Sequence, residues 1–148
     1  MEDVPTAVIA IRNLNKTTGA ARIALQQISI LKEMGFLVTV ICEKACKRTI
    51  NSYGADLKTV NKLPLGSYLR RLWFNNRANA WCKKNNPTLT ISHGDTDNAD
   101  IIFMHNCVDL AQEIIQPEKA HRQNSVSKIH QKILTNKSSQ HIVANSQL

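Results

Sequence analysis

A polar loop with a single glycine precedes the first predicted helix of this 148-residue chain. Thr18, Gly19 and Ala20 would form the start of that helix, and Lys16 lies just before them. A helix N-terminus offers free N–H groups and partial positive charge, and a glycine lets a phosphate approach the backbone closely. The loop therefore predicts a phosphate-binding position, with a simple turn as the alternative. It lacks the glycine patterns of dinucleotide sites and P-loops, which argues against both.

Polar residues also follow two later predicted strands. His93 follows the strand at 88–92, and His105 and Asn106 follow the strand at 100–104. In a doubly wound sheet, ligands bind beyond the carboxyl ends of the strands. We therefore predict that these residues share a crevice with Gly19, the alternative being histidines hydrogen-bonded within the core. The sequence contains no G-x-S-x-G elbow, and paired hydrolase carboxylates are not evident.

The elements that must position these residues alternate between strand and helix. Strands are predicted at 4–11, 36–42, 57–60, 88–92, 100–104 and 142–144, and helices at 20–34, 44–52, 65–85, 108–115 and 123–134. The first two strands are mostly apolar runs without clean alternation, as in strands buried on both faces. This order predicts an α/β fold with a mainly parallel sheet and covering helices, in one domain over residues 1–148.

Positive charge is concentrated in the middle of the chain. The formal net charge is +8, and residues 44–84 contain ten basic side chains and one acid, Asp56. Such a block attracts phosphates on nucleic acid, anionic lipid or a phosphorylated glycan, the alternative being a solvated surface. The acidic N-terminus and the absence of a long apolar run argue against a signal peptide and a membrane anchor.

The four cysteines fit a reducing cytosol. They form no C-x-x-C pair, and we expect thiols rather than a disulfide framework. A zinc site through Cys42, Cys46 and a distant histidine has loose spacing, and no metal is predicted.

The predicted helix at 65–85 has two apolar sides. A helical wheel predicts a core stripe made by Leu65, Leu69, Leu72, Asn76 and Ala80. The opposite side combines aromatic and basic residues, which are Arg70, Arg71, Phe74, Arg77 and Trp81. Large aromatics flanked by arginines suit an anionic membrane interface, a partner surface or the pairing of two copies. The alternative is that another segment of the fold covers them.

Several of these segments resemble one enzyme family in their order and spacing. Residues 19–25, 34–42, 99–106 and 141–148 are similar to segments of the N-terminal, acceptor-side domain of retaining GT-B glycosyltransferases. Lipopolysaccharide-core glucosyltransferases are the subgroup suggested. Thr18-Gly19 stands where the family has a glycine pair, and Phe36 stands where it often has histidine.

The resemblance implies a Rossmann-like, three-layer domain that is one half of a GT-B architecture. It implies that Thr18, Gly19 and Ala20 face the donor diphosphate and that His105 acts near the transferred sugar. Lys16, His93 and Asn106 are assigned to the acceptor. The nucleotide sugar would bind mainly through a C-terminal domain absent from these 148 residues, so the chain alone is expected to be inactive.

The resemblance also implies partners and a location. The acceptor would be a glycan or a lipid-linked glycan, and the nucleotide sugar is a substrate, with no cofactor or obligatory metal. A cytoplasmic protein, peripheral on the inner membrane face, is expected. Two other functions explain parts of the sequence. A basic nucleic-acid-binding α/β module would account for the charge, but no RRM, KH or helix-turn-helix pattern is visible, so no nucleic acid is predicted. A nucleotide-binding regulatory module is the third alternative.

Overall fold

The computed structural model describes residues 3–15, 18–104, 128, 133 and 141–144. Within these ranges the elements are β1 (Thr6–Ala10), α1 (Gly19–Glu33), β2 (Leu37–Cys42), α2 (Lys47–Ser52), β3 (Asp56–Thr59), α3 (Ser67–Asn85), β4 (Leu89–Ser92), β5 (Ile101–Met104) and β6 (His141–Ala144). Every predicted strand has its counterpart. The predicted helix at 108–115 lies outside the described residues, and only Lys128 and Ile133, both helical, are described of the one at 123–134.

The six strands form one parallel sheet in the order β3-β2-β1-β4-β5-β6. The chain starts in the middle of the sheet, proceeds to one edge, and then returns to the other side of β1. This is the strand order of a doubly wound Rossmann fold, in which the reversal between β1 and β4 opens a crevice at the carboxyl ends of the strands. The predicted fold class is confirmed.

Helices cover both faces of the sheet, which gives the three layers. Ala7 and Ile9 of β1 pack in the core that includes α1 and Ile50 of α2. Val8 and Ala10 point to the other face and pack in the core that includes α3. Because both faces of β1 are covered, all of these side chains are buried. This double burial explains the unbroken apolar run in the sequence.

The first helix begins and ends as the sequence predicts. The hydroxyl of Thr18 caps it by accepting a hydrogen bond from the Ala21 N–H at 3.2 Å. At the other end Gly35 has φ = +89°, a conformation that strains any residue with a β-carbon. The Phe36 N–H donates to the Leu31 carbonyl at 2.9 Å, so the chain turns directly into β2.

Helix α3 faces the sheet with a different side from the one predicted. Its buried residues are Phe74, Asn75 and Ala78, whereas Leu65 and Leu69 are 47% and 52% exposed. The leucine stripe is therefore not the core stripe, and Phe74 cannot belong to an outward face. The polar Asn75 is buried because its Oδ1 accepts hydrogen bonds from the Asp97 N–H at 2.9 Å and the Asn79 side chain at 3.2 Å.

None of the helices within the described ranges is long and apolar enough to cross a membrane.

The orientation of α3 predicts unequal effects of two truncations. Phe74→Ala should lower the free energy of unfolding by about 3–5 kcal/mol, because a fully buried aromatic side chain is lost and leaves a cavity. Leu69→Ala should change it by about 0.5 kcal/mol or less, because Leu69 is half exposed. Urea unfolding of both variants beside the wild type measures the difference. A larger loss for Leu69→Ala would show that the helix faces the other way.

Candidate functional site

The crevice between β1 and β4 contains a cavity of about 510 Å³. Its lining residues come mainly from the loops that follow the strands and from α3, and they are Ile11, Arg12, Asn13, Thr18, Ala20, Glu43, Lys44, Lys62, Arg70, Arg71, His93 and Asp95. We call this cavity the switch-point cleft. Charged side chains predominate in it, which suits a polar or charged ligand.

Backbone pairing beyond the ends of β1 and β2 fixes the first part of this cleft. The N–H groups of Glu43 and Lys44 both donate to the Arg12 carbonyl, at 2.9 and 3.1 Å, and the Leu14 N–H donates to the Lys44 carbonyl at 2.8 Å. The side chains of Arg12 and Glu43 therefore lie side by side, and Arg12 Nη2 is 3.1 Å from Glu43 Oε2. Both are largely buried, so little solvent screens this ion pair.

Asp95 connects β1 to α3 across the cleft. Its Oδ2 accepts a hydrogen bond from the Arg12 backbone N–H at 3.0 Å, and its Oδ1 lies 3.6 Å from Arg71 Nη1. Burial raises the pKa of the Asp95 carboxyl, although the Arg12 N–H and the charges of Arg12 and Arg71 oppose that rise. Burial, and then the charge of Arg12, lower the pKa of Arg71.

His93 is held firmly at the carboxyl end of β4. Its backbone N–H donates to the Ala10 carbonyl at 3.1 Å, and its Nε2 lies 2.8 Å from Gln27 Oε1. The ring stacks on Phe103 with centroids 5.6 Å apart and 17° between the planes. Since an amide oxygen only accepts, this contact assigns the proton to Nε2. The ring can therefore contribute a fixed wall to the cleft.

The start of α1 forms another side of the cleft. Thr18 and Ala20 line it, and a β-carbon placed on Gly19 would meet no atom within 4 Å. The Ala21 N–H is capped by Thr18, whereas the Gly19 and Ala20 N–H groups make no hydrogen bond to any described residue. Such N–H groups in the first turn of a helix are the ones that bind anions in other proteins. The other residues predicted for this site, Lys16, His105 and Asn106, lie outside the described residues.

The end of β5 is not next to the end of β1. Both strands end at the same edge of the sheet, but β4 lies between them. Phe103 of β5 stacks on His93, which lines the cleft.

The five residues predicted to form one face of α3 lie in three environments. Arg70 and Arg71 line the switch-point cleft, and Phe74 is in the core. Arg77 and Trp81 line a second cavity of about 380 Å³ that α3 forms with β3 and the residues after it. The prediction of one continuous outward face is therefore wrong. It failed because Phe74 lies on the buried side of α3, so that Arg70 and Arg71 before it border one cavity and Arg77 and Trp81 after it border another.

Arg77 is held in the second cavity by an aromatic contact. Its guanidinium carbon lies 5.5 Å from the centre of the Trp73 ring. The Trp73 indole N–H donates to the Asn61 carbonyl at 3.1 Å, which ties α3 to the segment after β3.

Two further acids of the β4–β5 region have structural partners. Asp100 Oδ2 accepts hydrogen bonds from the Thr90 N–H and hydroxyl, at 2.8 and 2.9 Å. Asp97 Oδ1 accepts one from Asn79 Nδ2 at 2.8 Å. These contacts fix the loop that presents His93 and Asp95.

The cysteines do not form a metal site in the described part of the chain. No group of three or more His, Cys, Asp and Glu side chains lies close enough there to hold a metal ion. Cys42 is buried, and burial raises the pKa of its thiol to about 11, whereas zinc binds the thiolate. Cys46 is exposed, and both are unbridged, as expected from the sequence.

Sequence reasoning missed Arg12, Glu43, Lys44 and Lys62 as cleft residues. Each follows shortly after a strand: Arg12 after β1, Glu43 and Lys44 after β2, and Lys62 after β3. The rule that led to His93 would have found them if it had been applied to every predicted strand.

Two solved structures resemble this architecture. WaaG, a glycosyltransferase involved in lipopolysaccharide biosynthesis, aligns with 91% of the chain at a TM-score of 0.69 and 13% identity. The glycotransferase of kitacinnamycin aligns with 86% at a TM-score of 0.53 and 12% identity. The chain shares its fold with glycosyltransferases. It spans 37% and 38% of the lengths of these two proteins. No protein-family model and no curated protein sequence matches it.

The glycosyltransferase resemblance predicted from the sequence is thus confirmed at the level of the fold. Identities of 12 and 13% leave the chemistry of the cleft to be argued from its own residues.

The buried Asp95 carboxyl predicts a pH-dependent contribution to stability. Because its pKa in the folded protein lies above the ordinary 3.8, the folded state binds the proton more tightly than the unfolded chain does. The carboxyl therefore contributes stability that is complete below the pKa of the unfolded chain and is lost as the pH rises through the folded pKa.

Asp95→Asn removes this titration and keeps an oxygen for the Arg12 N–H. The free energy of unfolding of the wild type minus that of the variant should therefore fall as the pH rises from 3.8 towards neutrality. Urea titrations at several pH values measure it. A difference that stays constant or grows with pH would show that the ion contacts outweigh burial.

Proposed function

We propose that the chain is the acceptor-side domain of a retaining glycosyltransferase. A glycan or lipid-linked glycan would bind in the switch-point cleft, and a second domain would supply most of the nucleotide-sugar site. The observation that carries the proposal is a charged cleft at the β1–β4 reversal of a fold shared with glycosyltransferases. The nucleotide sugar is a substrate in this scheme, and no cofactor is required.

In this reaction the domain must position the acceptor hydroxyl and stabilise the negative charge of the departing diphosphate. The bond between the anomeric carbon and the diphosphate oxygen breaks, the acceptor hydroxyl oxygen bonds to that carbon, and the hydroxyl proton passes to the departing diphosphate. Negative charge grows on the departing diphosphate while the sugar becomes oxocarbenium-like. The uncommitted N–H groups of Gly19 and Ala20 would face the diphosphate, and His105 would act near the sugar. His93, Lys16 and Asn106 would contact the acceptor.

The membrane contact of the proposed enzyme is assigned to a new set of residues. Leu65, just before α3, and Leu69, in its first turn, are exposed, and Lys128 Nζ lies 5.3 Å from the centre of the Tyr68 ring. Exposed leucines beside cations suit the headgroup region of an anionic membrane. The enzyme would then act on the cytoplasmic membrane face. A homodimer through the same leucines is the competing use of this surface.

Liposome co-sedimentation tests this assignment. The double variant Leu65→Ser/Leu69→Ser should bind anionic vesicles several-fold more weakly than the wild type, because burial of apolar area contributes roughly 25 cal/mol per Å². Ile30→Ser/Met34→Ser is the matched control, since both side chains are exposed on α1. Equal binding by both double variants would remove the assignment, and loss of dimerisation without loss of vesicle binding would favour the homodimer.

Gly19 provides the test of sugar transfer. Cells lacking the gene should make a glycolipid or glycan short of one sugar, detectable by mass spectrometry, and the wild-type gene should restore it. The Gly19→Val gene should restore roughly a hundredth or less of the product that the wild-type gene restores. The reason is that the valine side chain would occupy the space beside the N–H groups proposed to face the diphosphate.

Gly66→Val is the matched control for Gly19→Val. A β-carbon at Gly66 also meets nothing within 4 Å, and Gly66 lies at the start of α3 rather than at the start of α1. Gly66→Val should therefore restore the product fully. An unchanged glycan profile on deletion, or full restoration by Gly19→Val, would refute the proposed function.

A further inference from the structure

The switch-point cleft holds more positive charge than its own acids neutralise. Five of its lining side chains are basic, Arg12, Lys44, Lys62, Arg70 and Arg71, and two are acidic, Glu43 and Asp95. Such an excess in a concave site raises the local concentration of anions.

Both acids of the cleft are already engaged by two of the five cations. Glu43 is paired with Arg12, and Asp95 lies against Arg71. Lys44, Lys62 and Arg70 form no ion pair with any acid in the part of the chain that the structure describes. The excess positive charge of the cleft is therefore located on these three side chains.

Arg70 has a specific unsatisfied group. Its Nε is buried and makes no hydrogen bond to any described residue. A buried guanidinium N–H without a partner is costly, and a ligand oxygen would satisfy it. Arg70 lies in the first turn of α3, where its backbone N–H is bonded to the Gly66 carbonyl at 3.0 Å. The side chain therefore starts from a fixed backbone.

The three cations come from three different elements. Lys44 follows β2, with its backbone paired to Arg12 and Leu14, and Lys62 follows β3. Their convergence on one cavity with Arg70 is a product of the fold and not of neighbouring positions in the sequence. An arginine fork and two lysine point charges are the donor set that recognises phosphate or carboxylate.

We propose that Lys44, Lys62 and Arg70 form an anion subsite for a phosphate or carboxylate group carried by the acceptor. The acceptor class is then a sugar phosphate or an acidic sugar rather than a neutral glycan. That the anion belongs to the acceptor rests on the proposed function, whereas anion binding itself does not. The subsite differs from the start of α1, where the donor diphosphate would bind.

Titration of small probes onto the chain at low salt tests the subsite. Glucose 6-phosphate presents a phosphate on a sugar, glucuronate presents a carboxylate, and glucose is the neutral control. The binding of at least one of the two anions, measured by calorimetry or by NMR shifts, should be saturable. Glucose should show no saturable binding. Arg70→Gln and Lys62→Gln should each weaken the binding of that anion by about tenfold, which is the effect of losing one charge-assisted contact.

Lys84→Gln is the matched control variant. It removes a cation from the same helix, and Lys84, which is exposed like Lys62, lines the second cavity. Its effect should stay below about twofold, because its charge lies outside the switch-point cleft and salt screens it. Circular dichroism and thermal unfolding of each variant establish that the fold is intact.

Pyrophosphate distinguishes the acceptor from the donor as the source of the anion. Arg70→Gln should weaken the binding of the sugar anion more than the binding of pyrophosphate. If it weakens the binding of pyrophosphate alone, the cations serve the donor diphosphate and the subsite is overturned. Absence of saturation by either sugar anion, or equal losses in Arg70→Gln and Lys84→Gln, also overturns it. If the subsite binds but deletion of the gene leaves every glycan unchanged, anion binding stands and sugar transfer fails.

Discussion

The cleft depends on one buried carboxylate that bonds to two elements at once. Asp95 accepts a hydrogen bond from the Arg12 N–H beyond β1 and lies against Arg71 of α3. Removing a carboxylate from water is costly, so an ionised Asp95 is stable only while both groups are in place. This requirement fixes α3 relative to the strand reversal.

The same ion contacts determine which positive charges remain for a ligand. Asp95 and Glu43 are paired with the two arginines, Arg71 and Arg12, which leaves three basic side chains of the cleft without an acidic partner among the described residues. Burial and then the charge of Arg12 lower the pKa of Arg71, and the charge of the neighbouring Arg70 adds a smaller effect in the same direction. The two adjacent arginines of α3 therefore have different environments in the cleft.

The sequence predicted the sheet better than it predicted the helix that borders the cleft. Strands such as β1 are apolar on both sides, so their runs are recognisable without knowledge of what covers them. Helix α3 carries apolar residues on more than one side, and its buried side includes the polar Asn75, whose partner Asp97 is 22 residues away. Likewise Arg12 and Glu43 are 31 residues apart, and only strand pairing brings them together. Periodicity contains no information about such contacts.

The two glycines at the ends of α1 differ in a way that bears on function. Gly35 has a positive φ, so the fold itself requires a residue without a side chain. Gly19 lies outside that region, and a β-carbon there would meet open space. Alanine at Gly19 would stabilise the protein by about 0.4–1 kcal/mol, because it reduces the conformational freedom of the unfolded chain. Neither packing nor backbone strain accounts for glycine at this position. A ligand whose oxygens must come close to the backbone N–H groups would account for it, because any side chain at this position would stand between those oxygens and the N–H groups.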